Sequence, residues 1–268
     1  YNSQLGLGGD GVNKLIIGLL ESNISVHVFT LDNKISDKLE FYGPKLKVTI
    51  IPLRGRIRLI DIYKKETDLL AKEIDRSGVD LVHCHWSYEY ALAGIKSKKT
   101  HVLTMRDNPH KVLELSKGMD KVYRLYRLLL ANYVLRRTKN IISNSDYIKS
   151  YLEQRGIRST RIYNPYKLYS DNKEGISSNR SKELRLISIN NGFSYLKNVK
   201  SLIIAFSRIS NKLDVDLYLV GKDYALNGPC HIWCKERQID GIKFLGELSQ
   251  FQLEIELQQG VDGTGIIH

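Results

Sequence analysis

The sequence predicts an α/β protein made of two doubly wound parallel units in tandem, and three observations carry that expectation. Short β-branched, apolar runs alternate with stretches of helical period, the pattern of strands joined by crossover helices. The runs are apolar throughout, as strands covered on both faces are. A polar stretch at 166–183, rich in Ser, Asn and Lys, interrupts the alternation, which then restarts.

In the first unit, strands are expected at Ser25–Leu31, Lys47–Ile51, Asp80–His83, His101–Met105 and Asn140–Ser143. Helices are expected at Val12–Glu21, Leu59–Asp75, Tyr88–Lys96, Val122–Arg137 and Asp146–Gln154. In the second, strands fall at Leu184–Ile189, Val215–Val220 and Ile242–Leu245, and helices at Val199–Ile209 and Gln250–Leu257. The domains implied are Rossmann-like units at 1–168 and 184–268, joined by a linker at 169–183. Both ends are expected to be incomplete. Only five residues precede Gly6, where a strand belongs, and the second unit shows three strands at most before Gly260–His268, which matches no element.

Composition narrows the function classes. Of 268 residues, 42% are hydrophobic and 26% charged, which excludes disorder, collagen and disulfide mini-domains. Aliphatic runs such as Leu15–Leu20 are too short to cross a bilayer. No signal peptide is visible, although residue 1 is Tyr rather than Met. Three cysteines, Cys84, Cys230 and Cys234, make no disulfide framework and point to a reducing cytoplasm. The net charge is +12, of which +11 lies in residues 1–165. That field suits polyanions, anionic lipid or phosphorylated substrates. Lys121–Arg161 holds ten basic residues and two acidic ones, with Tyr123, Tyr126 and Tyr133 interleaved among Arg124, Arg127, Arg136 and Arg137. An anionic membrane surface is the candidate partner if those arginines share an exposed face; the bland alternative is a solvated face or arginines paired within the fold. No nucleic-acid motif accompanies them, so nucleic acid is not an expected partner.

Gly6, Gly8 and Gly11 match G-x-G-x-x-G, and Asp32 closes the next strand. A dinucleotide-binding dehydrogenase using that loop and Asp32 is one reading; a plain tight turn is another. Both allow an anion to approach a helix N-terminus. The strand Val79–Trp86 ends on His83 and His85, with Cys84 facing the other way. Zinc is weakly supported without a third ligand; the bland reading is one hydrogen-bonded histidine and one packed on Trp86. The next strand runs into Arg106 and Asp107, again at a carboxyl end, where ligands sit in such sheets. Cys230 and Cys234 read as packing residues on a helix rather than a metal pair.

Together these segments resemble the retaining glycosyltransferases of family four, with the GT-B architecture of two Rossmann-like domains. The resemblance rests on the Gly8–Gly9 loop, VDLVHCHWSYEYALAGI at Val79–Ile95, NIISNSDYIKSYL at Asn140–Leu152, Asn164–Pro165, LRLISINNGFSYLKNVKSLIIAF at Leu184–Phe206, LYLVGKD at Leu217–Asp223 and IKFLGEL at Ile242–Leu248, in order over nearly the whole chain. It implies a nucleotide-sugar donor, a saccharide or lipid-linked acceptor and a role in surface polysaccharide synthesis, with no metal or other cofactor. The donor diphosphate would lie between Gly8–Gly9 and the helix after Lys197. Asn191, Gly221, Gly246, Glu247 and Leu248 would border the nucleotide. Lys197 would neutralise the leaving group, with His85 and Arg106 also in catalytic positions. His85, Tyr88, Glu89, Arg106 and Asp107 would form the acceptor side. The sequence departs from the family at three places. Gly192 stands where an arginine is usual, Arg106 where a histidine is common, and the E-x7-E segment expected after Leu257 is absent. A catalytically inactive remnant is therefore the non-enzyme alternative.

Overall fold

The computed structural model describes residues 10–165, 184–210, 212–258 and 264–267. The chain divides into two compact units, Tyr1–Lys167 and Leu168–His268. The expected linker at 169–183 lies outside the described residues.

In the first unit, β1 (Val26–Asp32), β2 (Leu39–Tyr42) and β3 (Leu46–Pro52) form one sheet, and β4 (Leu81–His85), β5 (Thr100–Met105), β6 (Ile141–Ser143) and β7 (Thr160–Arg161) another. All pairs are parallel except β2 with β3. Its α-helices among the described residues are α1 (Asp10–Glu21), α2 (Lys64–Arg76), α3 (Glu89–Lys96), α4 (Pro109–Glu114), α5 (Gly118–Leu135) and α6 (Asp146–Glu153). The main core joins Leu103, Met105 and Ile141 of β5 and β6 to Ala131, Val134 and Leu152 of α5 and α6. A smaller cluster around Leu70, Ile74 and Ala93 takes in Leu31 of β1 and Val82 of β4, so α2 and α3 pack against both sheets.

The structure revises three sequence expectations here. The single helix expected over 59–75 is a 3-10 turn at Arg56–Leu59 and then α2, because Ile62 and Tyr63 both take left-handed backbone. Arg54 holds this corner through Asp61 and the buried Glu66, at 2.8 and 2.7 Å. The short edge strand β2 is unanticipated; its Glu40 pairs with Lys38 and Lys47, charge that protects an edge strand. The helix α4, just past the site-like end of β5, is also unanticipated; Asn108 caps it, its side chain accepting from the amides of His110 and Lys111, and Pro109 begins it.

The second unit is a parallel sheet in the order β10 (Ile242–Gly246), β9 (Val215–Val220), β8 (Leu184–Ile189), β11 (Thr264–Ile267). Its helices are α7 (Val199–Ile209), α8 (Pro229–Lys235) and α9 (Gln250–Gln258). Four strands replace the three expected: Thr264–Ile267 pairs parallel with β8, in a stretch that matched no element by pattern. The core gathers Ile203, Phe206, Leu217, Leu219 and Tyr224 with Cys230 and Cys234. The two cysteines are packing residues on α8, as their spacing suggests.

Candidate functional site

In the first unit the candidate residues lie at the carboxyl ends of β4 and β5. His83 and His85 project from one face of β4 and stack with ring centroids 4.4 Å apart. Cys84 faces the other way, against α3, where a Cβ on Gly94 would come within 2.4 Å of its Sγ. Burial pushes that thiol up to about 12. His83 Nε2 is 2.7 Å from the Thr104 hydroxyl. Trp86 then turns left-handed, with φ of 64°, and its amide donates to the Thr104 carbonyl. A bulky residue holds such a conformation only where its surroundings determine it.

Arg106 draws the site together. Its Nε donates to His85 Nδ1 at 3.3 Å, and its Nη1 donates to Asn164 Oδ1 at 2.6 Å. The guanidinium also stands over Trp86, at 5.7 Å. Gly11, in the first turn of α1, is so close that an added Cβ would lie 3.2 Å from Arg106 Nη1 and 3.3 Å from Asn164. No ion pair neutralises Arg106 among the described residues. Burial, then the charges of His83 and Arg106, hold His85 down to about 3. An uncharged imidazole, a half-buried cation and the amino end of a twelve-residue helix therefore meet at one rim. That combination offers donors and positive potential to an anionic or polyhydroxylated ligand.

The other three residues assigned to the acceptor side lie in a different group. Tyr88 is buried and donates to Asp107 Oδ2 at 2.7 Å. Glu89 pairs with Arg127 of α5 at 3.0 Å. The Arg127 guanidinium stacks 3.6 Å above the Tyr88 ring and donates to the Tyr123 hydroxyl, which in turn meets Tyr63. Burial opposes the charge of Arg127, but Glu89 and the surrounding phenols outweigh it and raise its pKa. Burial likewise raises the Asp107 carboxyl. This network ties α2, α3 and α5 together. It also corrects the shared arginine face on α5: Arg127 turns inward and Arg124 pairs with Asp120.

Sequence reasoning missed two residues at the rim. Asn164 was read only as part of a domain-ending Asn-Pro. Asn144 follows β6 at the level of Arg106, by the Met105–Ser143 register, and its buried Oδ1 has no hydrogen-bond partner. No group of three or more metal-ligating side chains occurs among the described residues. Gly6, Gly8 and Gly9 lie outside the described residues, and Asp32 accepts from the Lys34 amide in a turn.

In the second unit, the loops after β8, β9 and β10 come together at the carboxyl edge. Gly221 has φ of 124°, and a Cβ there would lie 1.8 Å from the Asn190 carbonyl oxygen, so only glycine fits. Its amide donates to Gly246 O at 2.7 Å, and the Gly246 amide to Tyr224 O. Glu247 is exposed and Leu248 half-buried just beyond. The exposed Asn191 accepts weakly from the Lys222 amide, at 3.4 Å. Asp223 accepts from the Phe193 amide and binds two of the loops. Lys197 ends a 3-10 turn immediately before α7, is exposed, and forms no ion pair among the described residues. A cation just before the amino end of an eleven-residue helix, in the loop that follows β8, suits a phosphate group.

Two mainly parallel α/β units in tandem, each with its candidate residues at the carboxyl edge of a sheet, are the architecture of the GT-B glycosyltransferases. The family model for glycosyltransferase family 4 matches residues 11–168. The chain belongs to that family. Similar solved structures include the lipopolysaccharide outer core galactosyltransferase WaaB, at 16% identity and a TM-score of 0.51, over 83% of this chain and 58% of that one. Anabaena HepE, solved with UDP and glucose, shares 15% identity over 84% of this chain and 70% of that one, with a TM-score of 0.52. The E. coli structure described as trehalose-6-phosphate bound with UDP-2-fluoro glucose covers 98% of this chain and 76% of its own, at 8% identity and a TM-score of 0.63. The chain thus spans little more than half the length of WaaB. No curated protein matches.

Proposed function

We propose that the protein transfers a glycosyl group from a nucleotide-sugar to a saccharide or lipid-linked acceptor, with retention of anomeric configuration, in surface polysaccharide synthesis at the inner face of a membrane. The observation that carries this reading is the glycine-lined carboxyl edge of the second unit with Lys197 at the foot of α7. Family membership and the UDP in the HepE structure favour a nucleotide-sugar over the dinucleotide reading of Gly6, Gly8, Gly11 and Asp32.

Breaking the donor's glycosidic bond leaves negative charge on a nucleoside diphosphate. Lys197 and the amino end of α7 would stabilise that charge where it develops. Gly221 and Gly246 would let the nucleotide approach the backbone, with Asn191, Glu247 and Leu248 at its border. His85 stays neutral and accepts from Arg106, which would leave the remaining Arg106 donors to orient an acceptor hydroxyl or anion.

The test is thermal melting with a panel of nucleoside diphosphates, in EDTA, against NADH. One diphosphate is expected to raise the melting temperature without divalent metal, and NADH to leave it unchanged. An NADH response with none to any diphosphate would overturn the reading; no response to either favours an inactive remnant. The anomer formed from a nucleotide-sugar, read by NMR, tests retention.

A further inference from the structure

We propose that an exposed apolar stripe on α5, rather than its arginines, docks the first unit onto an anionic lipid surface. This inference rests on the membrane reading above and names the surface used. One face of α5 packs Leu128, Ala131, Val134 and Leu135 into the core. A second apolar line runs along its outside: Met119, Val122, Tyr126, Leu129 and Tyr133, all exposed. Their spacing of three, four, three and four residues keeps them on one side of a helix over about 21 Å. Met119 is 84% and Leu129 58% exposed.

The stripe does not stop at the helix. Ile62 and Leu59 line a small depression together with Tyr126 and Leu130, and neighbouring Ile60 is 83% exposed. The left-handed backbone at Ile62 is rare for a β-branched residue, and it presents this corner outward. Isolated exposed apolar residues are ordinary, but a continuous line of them marks an interaction surface.

Charge selects the occupant. Lys121, Arg136, Arg137 and Lys139 are exposed along and just beyond the stripe. Two copies of so basic a surface repel each other, whereas anionic headgroups attract it. An apolar line flanked by basic side chains is the arrangement of an element lying in the membrane interface. Among the described residues no helix is long and apolar enough to cross a membrane.

The test is co-sedimentation of the full chain with phosphatidylglycerol-containing and pure phosphatidylcholine vesicles at low and high salt. The protein is expected to prefer the anionic vesicles, and Leu129→Glu and Met119→Glu each to weaken binding by about tenfold or more, since a charge replaces several buried carbon atoms. Met119→Glu alters a side chain outside the core, so its unchanged melting temperature serves as the folding control. Absence of wild-type binding to any vesicle overturns the membrane reading and the surface with it. Wild-type binding that both variants retain overturns the surface alone. Variants that abolish self-association in sedimentation equilibrium while keeping vesicle binding assign the stripe to a second copy and overturn the proposal as well.

Discussion

Arg127 separates a structural role from a surface role, and its replacement by methionine gives opposite results for the two. Its side chain is 15% exposed and that of its partner Glu89 13%, and its guanidinium lies 3.6 Å above the Tyr88 ring. Removing one member of a buried ion pair costs about 3–5 kcal/mol, because the other charge is left uncompensated. Neither group is fully enclosed, so the cost falls below that range, to roughly 2 kcal/mol, and the lost ring contact adds about 1 kcal/mol. A loss near 3 kcal/mol lowers the melting temperature of a unit this size by about 6–12 °C. Scanning calorimetry of Arg127→Met reads this directly. The double variant Arg127→Met, Glu89→Gln should recover part of it, since the stranded carboxylate is gone. A shift of less than about 2 °C, or strict additivity in the double variant, would refute the buried-pair argument. A fall in vesicle binding at unchanged stability would return Arg127 to the surface.

Three further outcomes are expected. Gly221→Ala forces a Cβ to within 1.8 Å of the Asn190 carbonyl at a φ of 124°; it should destabilise the second unit by about 3 kcal/mol and abolish diphosphate-induced stabilisation, and full retention of both would refute the close approach. The folded-state pKa values of His83 and His85 lie below 6.5, His85 at about 3, so the unfolded chain binds more protons between those values and stability falls on acidification. Melting from pH 7 to 5 should show a loss below about 1 kcal/mol per pH unit for His85 after allowance for its partial exposure, flattened in His85→Gln; an unchanged slope in that variant would contradict the buried neutral imidazole. Lys197→Ala should lower turnover by roughly 10²-fold, as removal of a single electrostatic donor does, with little change in melting because Lys197 is exposed and forms no ion pair among the described residues; unchanged turnover would remove it from the site.

How much of this was legible in the sequence depends on the kind of signal. Every strand expected from a β-branched run is present, and β8, β9 and α7 have the expected bounds, because burial on both faces leaves an unbroken apolar word. The four-residue edge strand β2, Leu39–Tyr42, with Glu40 in it and its other three residues exposed, carries no such word. Strand ends also located His85 and Arg106, since the carboxyl edge of a parallel sheet follows from strand direction alone. The direction a polar side chain takes beyond that edge does not, and Tyr88, Glu89 and Asp107 turned inward. For Arg127 a readable signal existed. It lies four residues before Ala131 and seven before Val134, both buried, so helical period alone sets it on the core-facing side. Grouping it with Arg124 by residue type overrode that period.

The departure at Gly192 has a physical reason of the same kind. Its φ is 92°, a region that side-chain-bearing residues rarely adopt, its amide donates to Lys222 O, and its carbonyl accepts from the buried Tyr224 hydroxyl at 2.8 Å. An arginine at this position would strain the backbone that holds the loops after β8 and β9 together. Lys200 does not replace it, because its ammonium rests over the rings of Phe193 and Trp233, 5.2 and 5.5 Å from their centroids. Under the proposed reading, the leaving diphosphate therefore meets Lys197 and the fixed dipole of α7 without the usual arginine beside them. Catalysis would then depend more steeply on Lys197 than where two cationic side chains share the charge.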